Sequence, residues 1–231
     1  MIPLRDDNPT SKPPLFTVTL IIACVLVFLF QVSLNPQAQQ AMVVALGAIP
    51  AAIIGKQSLP PELALIPSSL TLLTSMFLHG GWMHLIGNML YLWIFGNNIE
   101  DAMGHGRFII FYLLCGVIAA LAHAIPNAGS AVPMIGASGA ISGVLGAYLL
   151  LYPHARVLVL LPLGFFSQLI RLPAVLVLGF WFVLQLISSA ISTSKTGGVA
   201  WGAHIGGFVA GMVLIPFFKH KSVSLFSRKG R

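Results

Sequence analysis

Apolar runs of roughly the 20 residues needed to cross a bilayer recur along almost the whole chain, and no polar stretch is long enough to form a separate aqueous domain. Only 7% of the 231 residues are charged, against about 25% in a soluble globular domain. Apolar residues in that proportion need lipid around them. The chain is therefore read as one integral membrane domain of the all-α class, because helices satisfy every backbone hydrogen bond within their own segment.

Six spans are predicted: Leu15 to Leu34, Trp82 to Ile99, Phe108 to Ile125, Ser138 to Tyr152, Pro173 to Ile191, and Ala200 to Phe218. Residues 1–14 form a polar N-terminal segment, 15–218 the membrane domain and 219–231 a basic tail. An even number of spans puts both termini on one side. That side carries ten Lys and Arg (Arg5, Lys12, Arg107, Arg156, Arg171, Lys219, Lys221, Arg228, Lys229 and Arg231), and the other only Lys56 and Lys195, which makes the termini cytoplasmic. A bacterial inner membrane, with the opposite face outward, is the expected location.

The net charge of +7 follows from this topology. Its cations are scattered over loops and tail and form no basic face interleaved with aromatics, so nucleic acid is not an expected partner. Cys24 and Cys115 fall within apolar runs and receive no role.

Two segments fit no span. Residues 35–81 are apolar in part but broken by Pro50, Pro60, Pro61 and Pro67, and read as a long first loop with helical pieces at the outer interface. Residues 157–166, too short to cross and interrupted by Pro162 and Gly164, read as an interfacial cytoplasmic loop.

Polar groups at membrane depth are costly and mark function. In the predicted topology the second, fourth and sixth spans all begin at the outer face, and the unusual polar residues cluster there. His84 and Asn88 lie in the first turns of the second span, Ser138 opens the fourth, and His204 lies one turn into the sixth. The fourth span, at about 15 residues or roughly 23 Å, is shorter than the hydrocarbon core, so Ser138 is expected below the outer surface. The irregular stretch 126–136 before it would then dip into a protein-walled or watered cavity.

Small residues give the means of approach. Ser138, Ser142 and Gly146 share one face of the fourth span and Gly139 and Gly143 the adjoining stripe, while Gly207 and Gly211 answer from the sixth. A serine hydroxyl becomes nucleophilic when a base takes its proton, and a histidine with an ordinary pKa near 6.5 suits that role. No Asp or Glu occurs in the last three spans, so the expected machinery is a Ser138–His204 dyad. His84 and Asn88, four apart on one helix face, could join the Ser138 backbone N–H in holding an oxyanion.

These residues match a family pattern. The sequence resembles the rhomboid intramembrane serine proteases in His84-xxx-Asn88, Gly136-x-Ser138-Gly139, Ala203-His204-xx-Gly207-xxx-Gly211 and Glu100-xxx-Gly104, in that family's order on the predicted spans. The resemblance implies a six-helix rhomboid-like bundle with a long interfacial first loop. It implies Ser138 as nucleophile, His204 as general base, and oxyanion donors at His84, Asn88 and the Ser138 amide. It implies cleavage of transmembrane protein substrates near the outer face, with small residues at the cut, by an enzyme seated in the lipid bilayer and using no metal or cofactor. Oligomeric state is left open.

Two departures stand out. The Trp-Arg pair many members carry in the first loop is missing from residues 35–81, and Ser142 occupies the position where some members stack a tyrosine on the catalytic imidazole. A non-catalytic scaffold that holds transmembrane helices is the alternative, and a transporter a third class. Intact Ser138 and His204 argue against the scaffold; the lack of a repeated half or an acidic coupling residue argues against the transporter.

Of the remaining polar residues, His79 is placed in the outer cavity, and His123 in a helix-to-helix hydrogen bond. Glu100 and Asp101 are expected to cap loops or pair with Arg107. Trp82 and Trp201 fit an interfacial belt, and Tyr91, Trp93 and Trp181 are expected to face lipid or packing partners.

Overall fold

A computed structural model describes residues 1–55, 57–163, 166–191 and 199–227. Lys56, Lys195, Gly164, Arg228, Lys229 and Arg231, which entered the charge count or the loop reading, lie outside the described residues.

The chain runs β1 (Ile2–Asp6), α1 (Leu15–Ser33), α2 (Pro36–Leu46), α3 (Pro50–Ile53), α4 (Thr71–Thr74), a 3-10 turn at Ser75–Phe77, α5 (Trp82–Met103), α6 (His105–Ala124), α7 (Ser138–Leu151), β2 (Arg156–Leu163), β3 (Phe166–Pro173), α8 (Ala174–Ile191) and α9 (Trp201–Phe218). Among the described residues four helices, α1, α6, α8 and α9, are long and apolar enough to cross a membrane. The apolar helix α7 is shorter, at 14 residues. Its neighbour α5 has 22 residues and carries the polar groups His84, Asn88, Asn98, Glu100 and Asp101. The protein is a multi-pass integral membrane protein, mostly helical.

The buried core gathers large side chains of α1, α5, α6, α7 and α9, with Phe28, Phe95, Phe108, Phe111, Tyr112, Tyr148 and Phe208 all less than 2% exposed. The short helix α7 is central and almost wholly buried, from Gly139 to Tyr148. By contrast α8 shows an outward row of Leu176, Phe180, Val183 and Ile187, each more than half exposed or nearly so, as a lipid-facing helix should.

The helices α7 and α9 cross with their backbones in contact. A Cβ on Gly207 would meet the carbonyl oxygen of Gly139, and one on Gly211 that of Gly143. Only glycine permits that approach, and the two facing small-residue stripes read from the sequence are the surfaces that touch.

One expectation about the fold needs correction. The protein is not all-α: residues read as an interfacial loop form the hairpin β2–β3, which pairs antiparallel with β1 in a three-stranded sheet of order β1-β2-β3. The run Val157-Leu158-Val159-Leu160-Leu161 has no period-2 alternation, so hydropathy shows only an apolar patch. Burial decides it, since Val157 and Val159 are fully buried and form the inner face of the middle strand. Pro3 is tolerated because β1 is an edge strand, with its register shift falling between Pro3 and Arg5.

Of the two roles expected for Glu100 and Asp101, capping is the one the structure shows. Glu100, 1% exposed, accepts from Phe16 N and Thr17 N at 2.8 Å and from Thr17 Oγ1 at 2.7 Å. It supplies the cap that Pro14, at the start of α1, cannot. His105 Nδ1 completes its shell at 2.6 Å, and Arg107 instead donates to Phe218 O at 3.4 Å. Asp101 does close a loop, accepting from Ser11 N and Oγ.

At the same end of the bundle the Tyr148 hydroxyl donates to Asp6 Oδ2 at 2.5 Å. The tail folds back beneath α7, with Phe226 N donating to Leu150 O and Ser227 N to Leu151 O.

Candidate active site

Glycine begins the site. Gly136 lies at φ +120°, a region side chains rarely enter, and its N–H donates to Ser75 O at 2.9 Å. A Cβ there would stand 2.8 Å from His84 Nε2, so only a glycine lets the His84 ring lie against this turn. Two residues later α7 begins with Ser138.

The stretch before Ser138 is tied to the first loop by backbone pairing. Ala48 and Met134 exchange hydrogen bonds at 3.0 and 2.8 Å, and Ala51 N donates to Ser130 O at 2.9 Å. Residues 71–79 are fixed as well, Thr74 Oγ1 donating to Leu46 O, and the Gln31 amide clasping His79 N and O. These bonds anchor the first loop without a Trp-Arg pair.

Ser138 and His204 meet. His204 Nε2 lies 2.8 Å from Ser138 Oγ, brought there by the glycine crossing of α7 and α9. On its other side His204 Nδ1 lies 2.7 Å from Gln185 Oε1 of α8, a residue that a search for carboxylates passes over. The signal was present: Gln185 is an amide amid the apolar residues of a membrane helix, and such residues need a partner.

Trp181, expected to face lipid or packing partners, lies with its ring centroid 5.9 Å from that of His204, tilted 32°; Trp201 meets the same imidazole edge-on at 5.9 Å. These two rings flank His204 where no tyrosine is available. Ser142, at the tyrosine position, turns back to donate to Ser138 O at 2.6 Å.

His84 and Asn88 converge on the turn before Ser138. Gly80 N donates to His84 Nδ1 at 3.3 Å, which places the proton of the neutral ring on Nε2, the nitrogen beside Gly136. Asn88 Nδ2 is buried with no hydrogen-bond partner and would be 3.6 Å from a Cβ at Gly136. Two donors thus face one turn, next to the first-turn amides of α7, which have no carbonyl upstream within the helix.

A cavity of about 40 Å³ opens beside Ser138, lined by Met76, Gly116, Ala119, Ala120, Gly136 and Ala140 among others. It has room for a small side chain or a water. His79 is not in it: fully buried, its ring packs between Phe28 and His84, at centroid separations of 6.4 and 5.3 Å. His123 sits against the start of α9, its Nδ1 3.0 Å from where a Cβ on Gly202 would be.

Residues 67–221 match the Rhomboid domain family. The chain is 36% identical over 143 residues to the Rhomboid protease GluP of Bacillus subtilis, an alignment covering 62% of this chain and 25% of that protein. It is 28% identical over 165 residues to the mitochondrial Rhomboid protein 1 of Saccharomyces cerevisiae, covering 68% of this chain and 44% of the relative. With Rhomboid-like protease 5 of Toxoplasma gondii it shares 32% identity over 164 residues, 67% of this chain and 17% of that one. The chain thus spans between about a sixth and a half of the length of these relatives. With its domain matched over most of its length, this membrane protein belongs to the rhomboid family, among whose members are proteins named as proteases.

Proposed function

We propose that this chain is an intramembrane serine endopeptidase that cuts transmembrane proteins near the outer face of the membrane. The observation that carries the reading is the 2.8 Å approach of Ser138 Oγ to His204 Nε2 at the half-buried start of α7. The proposed frame is six spans, with residues 15–218 as the membrane domain, both termini cytoplasmic, and the site open to the outer side of a bacterial inner membrane.

His204 Nε2 takes the Ser138 proton as Oγ attacks the carbonyl carbon of the scissile peptide. The carbonyl oxygen becomes an oxyanion and is held by the Ser138 N–H, His84 Nε2–H and Asn88 Nδ2–H, each worth about 10² to 10³ in rate if well aimed. The protonated imidazole then gives its proton to the leaving amine, and water, activated by the same nitrogen, releases the acyl group. The N-terminus of α7 adds a favourable field for the negative charge.

Substrate preference follows from the site's dimensions. The small cavity beside Ser138 suits a small residue preceding the cut. A helical peptide bond hides its carbonyl, so substrates with Gly or Pro nearby unwind at lower cost.

The test is cleavage of a single-pass reporter in proteoliposomes, with the cut mapped by mass spectrometry. Ser138→Ala and His204→Ala are expected to abolish cleavage while the proteins stay folded in detergent, and a fluorophosphonate should label Ser138 of the wild type. Full activity in Ser138→Ala would overturn the mechanism. A wild type that binds transmembrane helices but neither cuts nor labels would indicate a scaffold.

A further inference from the structure

We propose that Gln185 is a positioning residue that fixes the proton and the orientation of His204, an uncharged third member behind the serine and histidine; this inference rests on the protease reading above.

Hydrogen-bond bookkeeping leads to it without ambiguity of atom type. The Gln185 side-chain nitrogen lies 3.2 Å from Trp181 O, and a carbonyl can only accept, so the amide NH₂ must face Trp181. That leaves Oε1 facing His204 Nδ1, at 2.7 Å. An amide oxygen can only accept, so Nδ1 carries the ring hydrogen. The neutral imidazole therefore presents a lone pair at Nε2, 2.8 Å from Ser138 Oγ, the tautomer a base needs. Trp181 thus sets Gln185, Gln185 sets His204, and His204 receives the serine proton.

Burial makes the chain of bonds consequential. Gln185 is 6% exposed and, with Ala174, Val177 and Leu178, lies on the buried side of α8, so its amide has little access to other partners. Trp181 holds both ends of the arrangement, its carbonyl orienting the amide and its tilted ring flanking the imidazole.

During the reaction Nδ1–H stays bonded to Gln185 Oε1. The proton leaving Ser138 goes to Nε2 as the Oγ–carbon bond forms, and none is passed to the amide. Because the amide is neutral, it orients the ring but does not hold the imidazolium as a carboxylate would.

The experiment compares wild type, Gln185→Leu and Gln185→Glu in proteoliposomes for kcat, KM, pH profile and the rate of Ser138 labelling by a fluorophosphonate. The titratable groups facing His204 from neighbouring helices are His84 on α5 and His123 on α6, and both are unchanged in these variants. Gln185→Leu should lower kcat and the labelling rate at least about tenfold with KM held within about twofold, since only the base is misaligned. Gln185→Glu should retain labelling and move the acid limb of the kcat profile to higher pH, because a carboxylate favours the charged imidazole. If Gln185→Leu fails to fold, the pH profile of Gln185→Glu alone decides.

Wild-type labelling of Ser138 with Gln185→Leu labelling equally fast, or a Gln185→Glu acid limb that does not move, overturns this inference and leaves the protease reading intact. A wild type that neither labels nor cleaves overturns both.

Discussion

Gly143 and Gly211 meet backbone to backbone: a Cβ on Gly211 would fall on the Gly143 carbonyl oxygen, and beyond its Cα and carbonyl carbon there is nothing flexible to yield. One turn earlier Gly207 stands in the same relation to Gly139, beside Ser138. Helix spacing and nucleophile placement are thus one property of the fold.

Gly211→Val is therefore expected to force α7 and α9 apart. The cost should reach about 3 kcal/mol, the upper range for overpacking, because backbone rather than side chain must move. Thermal unfolding in detergent would register it, and reporter cleavage should fall further than stability does, since the Ser138–His204 bond opens with the crossing. Unchanged melting and cleavage would refute the account of this contact.

Gly136→Ala tests the turn before Ser138. It combines a positive φ with a side chain pressed on His84, so the ring should be displaced while the helices stay packed. A fall in kcat of about 10² or more, with little change in melting, is the expected result. A variant that cuts at the wild-type rate would mean that His84 does not act from that position.

The cap on α1 can be tested apart from catalysis. Glu100→Ala leaves the amides of Phe16 and Thr17 and the Thr17 hydroxyl without their acceptor in a buried setting. A loss of about 3 kcal/mol is expected in detergent unfolding. Thr17→Val, removing only the hydroxyl bond, should cost about 1 kcal/mol. Equal losses in the two variants would contradict the capping role.

Asp6 gives the protein a pH dependence with a definite sign. Burial raises its pKa from 3.8 to about 6, against the opposing effect of its bond from Tyr148. The folded state thus holds the proton more tightly than the unfolded chain, so Asp6 favours folding most at low pH. That advantage is lost as pH rises from about 4 to about 6 and is absent above it. Asp6→Asn should remove this slope, worth on the order of 2 kcal/mol across the window. Identical stability-versus-pH slopes for wild type and Asp6→Asn between those limits would show that the carboxyl is not so perturbed.

Much of the bundle is legible in hydropathy. The edges of α1, α7 and α9 and the start of α8 lie within a residue or so of the ends of their apolar runs, because a helix in lipid stops where the apolar residues stop. The helix α5 continues past Ile99 to Met103, where Glu100 and Asp101 are polar but buried in capping bonds that composition does not reveal.

The meeting of Ser138 and His204 is legible because glycine spacing on two helices restricts how they can cross. The sheet is not, because β1 finds its partner about 150 residues further along the chain and the apolar run of β2 lacks strand alternation. Gln185 escapes a search keyed to charge: its contribution lies in which of its two terminal atoms faces the imidazole, and Trp181 O determines that only in three dimensions.

The Asp6–Tyr148 bond closes a loop of 142 residues, and the pairing of β1 with β2 closes a longer one. During synthesis Ile2–Asp6 has no strand to join until Arg156–Leu163 has left the ribosome, by which time α7 and its nucleophile are already made. The sheet is thus a latch that cannot fasten before α7 has been made, so the N-terminal strand waits on most of the chain for its partner.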